Sequence, residues 1–181
     1  MEQTPQTPAS QAPATPKTHL QWGILIAVVM IVLFVVYYVF SVPQQGFSRW
    51  IPTLLFVILI IIAQQSHAKA LAHRVTYGEL FANGFKTTAV TTSLYVVFLI
   101  LFLIFVPGFK EQSLQMAREA MEKRGNMTEE QINMAMSFTE KYFTVFMLAG
   151  TIFGTLIAGA VASLIGAAIA RKEGKPAQPA S

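Results

Sequence analysis

Cysteine is absent and so is aspartate: all nine acidic residues are glutamate, set against thirteen Lys and Arg for a net charge of +4. Without thiols, disulfide frameworks, thiolate zinc sites and cysteine nucleophiles are excluded. Charge of either sign is scarce, 12% of 181 residues, where an ordinary soluble domain carries about 25%. No Asp, Glu, Lys, Arg or His interrupts the middle of any long apolar run, the place where proton relays and ion-coupled transport paths put such groups. Two matching broken runs, the mark of an inverted repeat, are also missing. His19, His67 and His73 are scattered; the last two lie about 240° apart around a helix. No metal site is expected, nor any catalytic residue or cofactor, because hydrophilic catalytic clusters are lacking.

What the chain does have is oil. Hydrophobic residues make up 54%, and they fall into four runs that read as an all-α membrane protein with four transmembrane helices. The first covers about residues 22–42, with thirteen Ile, Val, Leu and Phe between Ile24 and Phe40. A signal peptide would have an apolar core of about 7–15 residues followed by a small-residue cleavage site. This run is longer, and Ser41-Val42-Pro43-Gln44 is a poor site, so the helix is read as retained. The second run covers about 50–68, with Pro52 in the first turn, where its missing amide proton costs little. The third covers about 87–107 and closes on Pro107-Gly108; the fourth covers about 143–170 and is rich in Gly, Ala and Thr. Each reaches the ~20 residues needed to cross ~30 Å of hydrocarbon. None alternates with period two, so strands are excluded, and lipid leaves the backbone no other partner. Residues 1–20 and 174–181 read as disordered tails flanking one membrane domain, 21–173.

Orientation follows from Lys and Arg. With the N-terminus inside, Lys17, Lys69, Arg74, Lys86, Arg171, Lys172 and Lys175 fall inside. Arg49, Lys110, Arg118, Lys123, Arg124 and Lys141 fall outside. Arg118, Lys123 and Arg124 lie mid-loop, whereas the inside group clusters at span ends, where the rule counts most. Both termini are therefore placed in the cytoplasm.

Two capping boxes stand outside the runs. Thr76-Tyr77-Gly78-Glu79 predicts a helix start at the membrane surface leading into the third span. Its functional reading is a carboxylate at the inner interface, with Asn83 and Lys86 nearby. Thr128-Glu129-Glu130-Gln131 predicts a second start, with two acids where the helix dipole favours them. The extracytoplasmic segment 108–141 splits at Gly125-Asn126. Before the break, Leu114, Met116, Ala117, Ala120 and Met121 share one half of a helical wheel and charged residues the other. The segment reads as an amphipathic helical hairpin between spans three and four. It is too small to hold its own core, so its apolar stripes rest on the bilayer, on the span ends or on a protein partner. Its charges nearly cancel, and no nucleic-acid partner is expected.

The fourth span carries the longest pattern. Gly150, Gly154, Ala158, Ala162, Gly166 and Ala170 recur every fourth residue, beside a row of Thr151, Thr155, Gly159, Ser163 and Ala167. Phe153, Ile157, Val161, Ile165 and Ile169 make the other flank bulky. Small residues let another helix approach closely, so Gly150, Gly154, Ala158, Ala162 and Gly166 are the candidate helix-packing residues. They serve either the internal bundle or a homo-oligomer formed through this span. Successive fourth residues rotate about 40° past a full turn, so no single straight partner need touch all of them.

The order of features resembles a known family. A TYGELFANGF segment leads into the third span and a VPGFKE junction leaves it; EKRGNMTEEQINMAM and a final IGAAIARKE follow. Over roughly residues 20 to 173 this is similar to the bacterial membrane family named as domain of unknown function 4199. The resemblance implies an integral protein of the bacterial inner membrane and supplies no catalytic or binding residues. The function expected is non-enzymatic, acting through helix packing or partner contacts. The alternative is a small transporter or channel component assembled as an oligomer, for which the hydroxyl rows Thr91, Thr92, Ser93 and Thr151, Thr155, Ser163 speak. A third class, a lipid-modifying enzyme, would need a polar cluster around His73, Glu79 and Asn83.

Overall fold

A computed structural model of the chain describes residues 17–42 and 46–173. The two tails expected to be disordered lie largely outside the described residues. The described residues form six α-helices and one 3-10 turn, without strands: α1 Thr18–Val39, the turn Gly46–Trp50, α2 Ile51–Ala70, α3 Tyr77–Phe105, α4 Gly108–Arg124, α5 Glu129–Lys141 and α6 Phe143–Glu173. Four of these segments, Thr18–Val39, Gly46–Ala70, Tyr77–Phe105 and Phe143–Arg171, are long and apolar enough to cross a membrane. At 1.5 Å per residue, the 22 residues of the first give about 33 Å and the 29 of the third and fourth about 43 Å. The longer pair therefore overshoots the hydrocarbon layer.

Local chemistry sets the boundaries. Thr76 caps α3 by accepting from the Glu79 amide while Glu79 accepts from the Thr76 amide, and Thr128 and Gln131 do the same for α5. Both boxes form where the pattern predicts them. Gly125 closes α4 in the left-handed region, φ 65°, where a side chain would be strained. Pro52 sits in the first turn of α2. One boundary needs correction: the tail was expected to run to residue 20, but α1 begins at Thr18, which is buried. Hydrogen bonds from its hydroxyl to other helices hold that first turn in the bundle.

α3 lies against α1, α2 and α6, and α2 also lies against α1 and α6. The core has two centres. Ile26, Met30, Phe56, Ile60 and Ala162 form one; Ala68, Leu80, Ala167 and Ala170 form the other, at the end that carries α1's start and α6's finish. We call this the near end. Outside the core the bundle is apolar all round: Val28, Val32, Ile58, Ile62, Val97 and Ile104 are each 40–65% exposed. A water-soluble monomer rarely shows so continuous an apolar surface; a bilayer is the solvent that accepts it.

Candidate functional site

Most of the buried polar side chains belong to α3. Asn83, Thr87 and Thr91 form one row at a spacing of four, and Gly84, Thr88 and Thr92 the next; all six are buried. In a low-dielectric interior each polar group needs a partner. Thr87 donates to the carbonyl of Asn83 (2.9 Å) and Thr88 to that of Gly84 (3.1 Å). Thr91 reaches across to the carbonyl of Gly23 in α1 (3.1 Å), and the hydroxyls of Thr92 and Thr155 of α6 share a bond at 3.0 Å. The seam binds α3 to α1 on one side and to α6 on the other.

At the near end the seam widens into a cluster. The Gln64 amide nitrogen in α2 donates to the carbonyls of Leu80 in α3 and Ser163 in α6, both at 2.9 Å. One side chain thus ties three helices together. Two glycines make room for it. A Cβ on Gly84 would lie 2.5 Å from Gln64 Nε2 and 2.6 Å from Ser163 Oγ, and one on Gly166 would run into Gln64 Oε1. One turn along α2, His67 Nδ1 is 2.6 Å from Thr18 Oγ1, which also accepts from Asn83 Nδ2 at 3.1 Å. With the imidazole neutral and its proton on Nε2, the Thr18 hydroxyl donates to Nδ1. Gln64 Oε1, Asn83 Oδ1 and Ser163 Oγ are buried and accept or donate nothing among the described residues. The cluster holds neutral amide and hydroxyl groups with one titratable imidazole. It offers hydrogen bonds, and no carboxylate lies among its members.

The predicted helix-packing residues divide. Ala162 and Gly166 are buried and Ala158 packs on the first core centre. Gly150 and Gly154 are exposed, with nothing within 4 Å of where a Cβ would stand. Helical rotation is the reason: at 100° per residue Gly150 points about 160°, and Gly154 about 120°, away from Gly166. The inward track instead passes from Thr155 through Gly159, Ala162, Ser163, Gly166 and Ala167 to Ala170, mixing both small rows. Gly159 takes the Thr88 side chain at a distance no Cβ would allow. The bulky flank, Phe153, Ile157, Val161, Ile165 and Ile169, faces outward at 37–66% exposure.

The interface group proposed around Glu79 is engaged separately. The Glu79 carboxylate is exposed and accepts from the Thr76 amide at 2.7 Å, Asn83 turns inward to Thr18, and Lys86 is exposed. Sequence reasoning passed over Gln64 as a span extension and left Thr18 in the tail. The signal that finds the cluster is spacing: 83, 87, 91 and 84, 88, 92 on α3, with Gln64 and His67 one turn apart on α2.

The family described as Protein of unknown function (DUF4199) matches residues 21–172. Comparison with curated proteins returns no match, and comparison with solved structures returns none either.

Proposed function

The chain belongs to the DUF4199 family, and on that premise we propose that it is a non-enzymatic protein of the bacterial inner membrane, acting through helix packing and partner contacts. What carries the reading is how the interior polar groups are used. The hydroxyls of Thr87, Thr88, Thr91, Thr92 and Thr155 and the Gln64 amide nitrogen bond to neighbouring helices or to their own backbone. They bind the bundle together and present no row of free groups to a passing solute. In this reading α4 and α5, taken as an amphipathic hairpin, supply the partner surface: Met134 and Phe138 of α5 are 72% and 57% exposed. The open face at Gly150 and Gly154 suits a second copy. Both termini are placed in the cytoplasm because Lys17, Lys69, Arg74 and Arg171 stand beside span ends, whereas Arg118, Lys123 and Arg124 lie within the segment between spans three and four. At the far end, Arg118 is paired with Glu122 at 2.9 Å and with Glu129 at 4.0 Å.

One observation favours the second reading, an oligomeric transporter or channel component. Three unpaired buried atoms, Gln64 Oε1, Asn83 Oδ1 and Ser163 Oγ, gather at one end of the seam. One experiment separates the two. A photo-crosslinking residue at Met134 or Phe138 in native membranes should give a discrete heavier species, and sealed vesicles containing the purified protein should stay tight to ions and small solutes. Flux that is abolished by Thr92→Val or Gln64→Leu, with no crosslinked species, would replace the first reading by the second.

A further inference from the structure

At the far end, α1, α4 and α6 enclose a cleft of about 470 Å³. Its walls are Phe34 and Tyr38 of α1, Phe109 and Met116 of α4, and Phe143 and Met147 of α6. The rings brace one another: Phe109 lies 5.7 Å from Phe34, 5.8 Å from Tyr38 and 6.4 Å from Phe143, centroid to centroid. Such tilted and edge-on pairs are the favoured geometry, so the wall is preformed. The lining is mostly apolar, with Ser41 and Gln112 among its few polar members, and two further polar side chains are engaged elsewhere. The Ser113 hydroxyl donates to the Phe109 carbonyl at 2.7 Å and the Tyr37 hydroxyl to the Ser48 carbonyl at 3.1 Å.

The cleft is covered without being filled. α4 has no buried residue, and Met116 on its apolar side is 52% exposed. A mostly apolar space of this kind is a poor site for water, which needs two to four polar partners. Nor is it closed off from the bilayer. Its α1 wall continues into the apolar outer surface at Val35, Val36, Val39 and Phe40, and α3 ends beside it with Ile104 and Phe105 exposed. A hydrocarbon chain can enter sideways from the lipid layer without crossing water. The volume is within the range of small-ligand sites, roughly 300–1,000 Å³, enough for one chain and too little for the whole of a two-chain lipid.

We propose that this cleft holds one acyl chain of a membrane phospholipid, seated between the α4 helix and the ends of α1 and α6. The chain leaves an environment as apolar as the one it enters, so retention depends on contact with the braced rings. It is therefore distinguished from bulk lipid by how slowly it leaves. The occupant also gives the apolar side of α4 the cover that the protein itself does not provide.

The test uses the full chain in vesicles of phosphatidylethanolamine and phosphatidylglycerol carrying a diazirine on one acyl chain. The protein is extracted, washed in lipid-free detergent, photolysed, and its adducts are mapped by mass spectrometry. Washing should lower adducts on the outward face Phe153–Ile169 by roughly tenfold while those on Phe109–Ala117 and Phe143–Met147 largely remain. Filling the cleft by Ala117→Trp from α4, or by Met147→Trp from α6, should remove the washed-resistant adducts in a protein of unchanged helicity. Ala168→Trp, on an exposed position of α6, should leave them. Equal loss from cleft and outer face overturns the proposal, as do cleft adducts that survive both filling changes in folded protein. The washing comparison needs no variant, so a filling change that fails to fold does not rescue the idea.

Discussion

The glycines of α3 and α6 divide into packed and open positions, and the difference sets what an added methyl does. At Gly84 a Cβ would press on the Gln64 amide and on Ser163 Oγ, and overpacking of this kind costs about 1–3 kcal/mol. At Gly150 and Gly154 it would meet open space. Gly84→Ala should therefore lower the midpoint of unfolding in detergent, whereas Gly150→Ala and Gly154→Ala should leave it unchanged or slightly raised. Gln64→Ala removes two interhelical hydrogen bonds, worth ~0.6 kcal/mol each on average in membranes. It also removes the group that Gly84→Ala would strike. The pair should then be coupled by about 0.5–3 kcal/mol in a double-mutant cycle, the double variant losing less than the sum of the singles. Strict additivity would mean that the amide does not sit in the Gly84 notch.

Helix ends and helix faces were legible to different degrees. Caps are local: Thr76 with Glu79 and Thr128 with Gln131 each satisfy their own turn, so the pattern of four residues suffices to find them. Thr128→Ala should cost about 1 kcal/mol and speed amide exchange in the first turn of α5, leaving α6 unaffected; unchanged protection at Glu129–Ile132 would contradict the cap. Faces are not local. From Gly150 to Ala170 every fourth residue of α6 is small, and that row identifies the helix side on which close approach is feasible, but its inward segment depends on where α2 and α3 pass. The straight row predicted Gly150 and Gly154 as packing residues beside Gly166; helical drift turns them out, while Gly159 and Ser163 from the adjoining row turn in. Thr18 escaped notice because its partners, His67 and Asn83, stand 49 and 65 residues away in sequence. A threonine in a Pro- and Thr-rich tail carries no local mark of burial.

The molecule as a whole is organised by where it can leave polar groups. Its lipid-facing belt is Val, Ile, Leu and Phe; its interior seam is Thr, Asn and Gln in hydrogen-bonded pairs; its charges lie at the two ends. That arrangement requires the near end, with Lys17, His73 and Arg171, to lie on one side of the membrane and the far end, with Arg49 and Asn126, on the other. Because this sequence has no cysteine, single introduced thiols report on this without background. The decisive measurement is labelling of Lys17→Cys, His73→Cys, Arg171→Cys, Arg49→Cys and Asn126→Cys by an impermeant maleimide in intact spheroplasts and again after lysis. Positions 49 and 126 should react in intact cells, and positions 17, 73 and 171 only after lysis. Labelling of 126 together with 17 or 171 from the same side would refute the four crossings on which everything else rests.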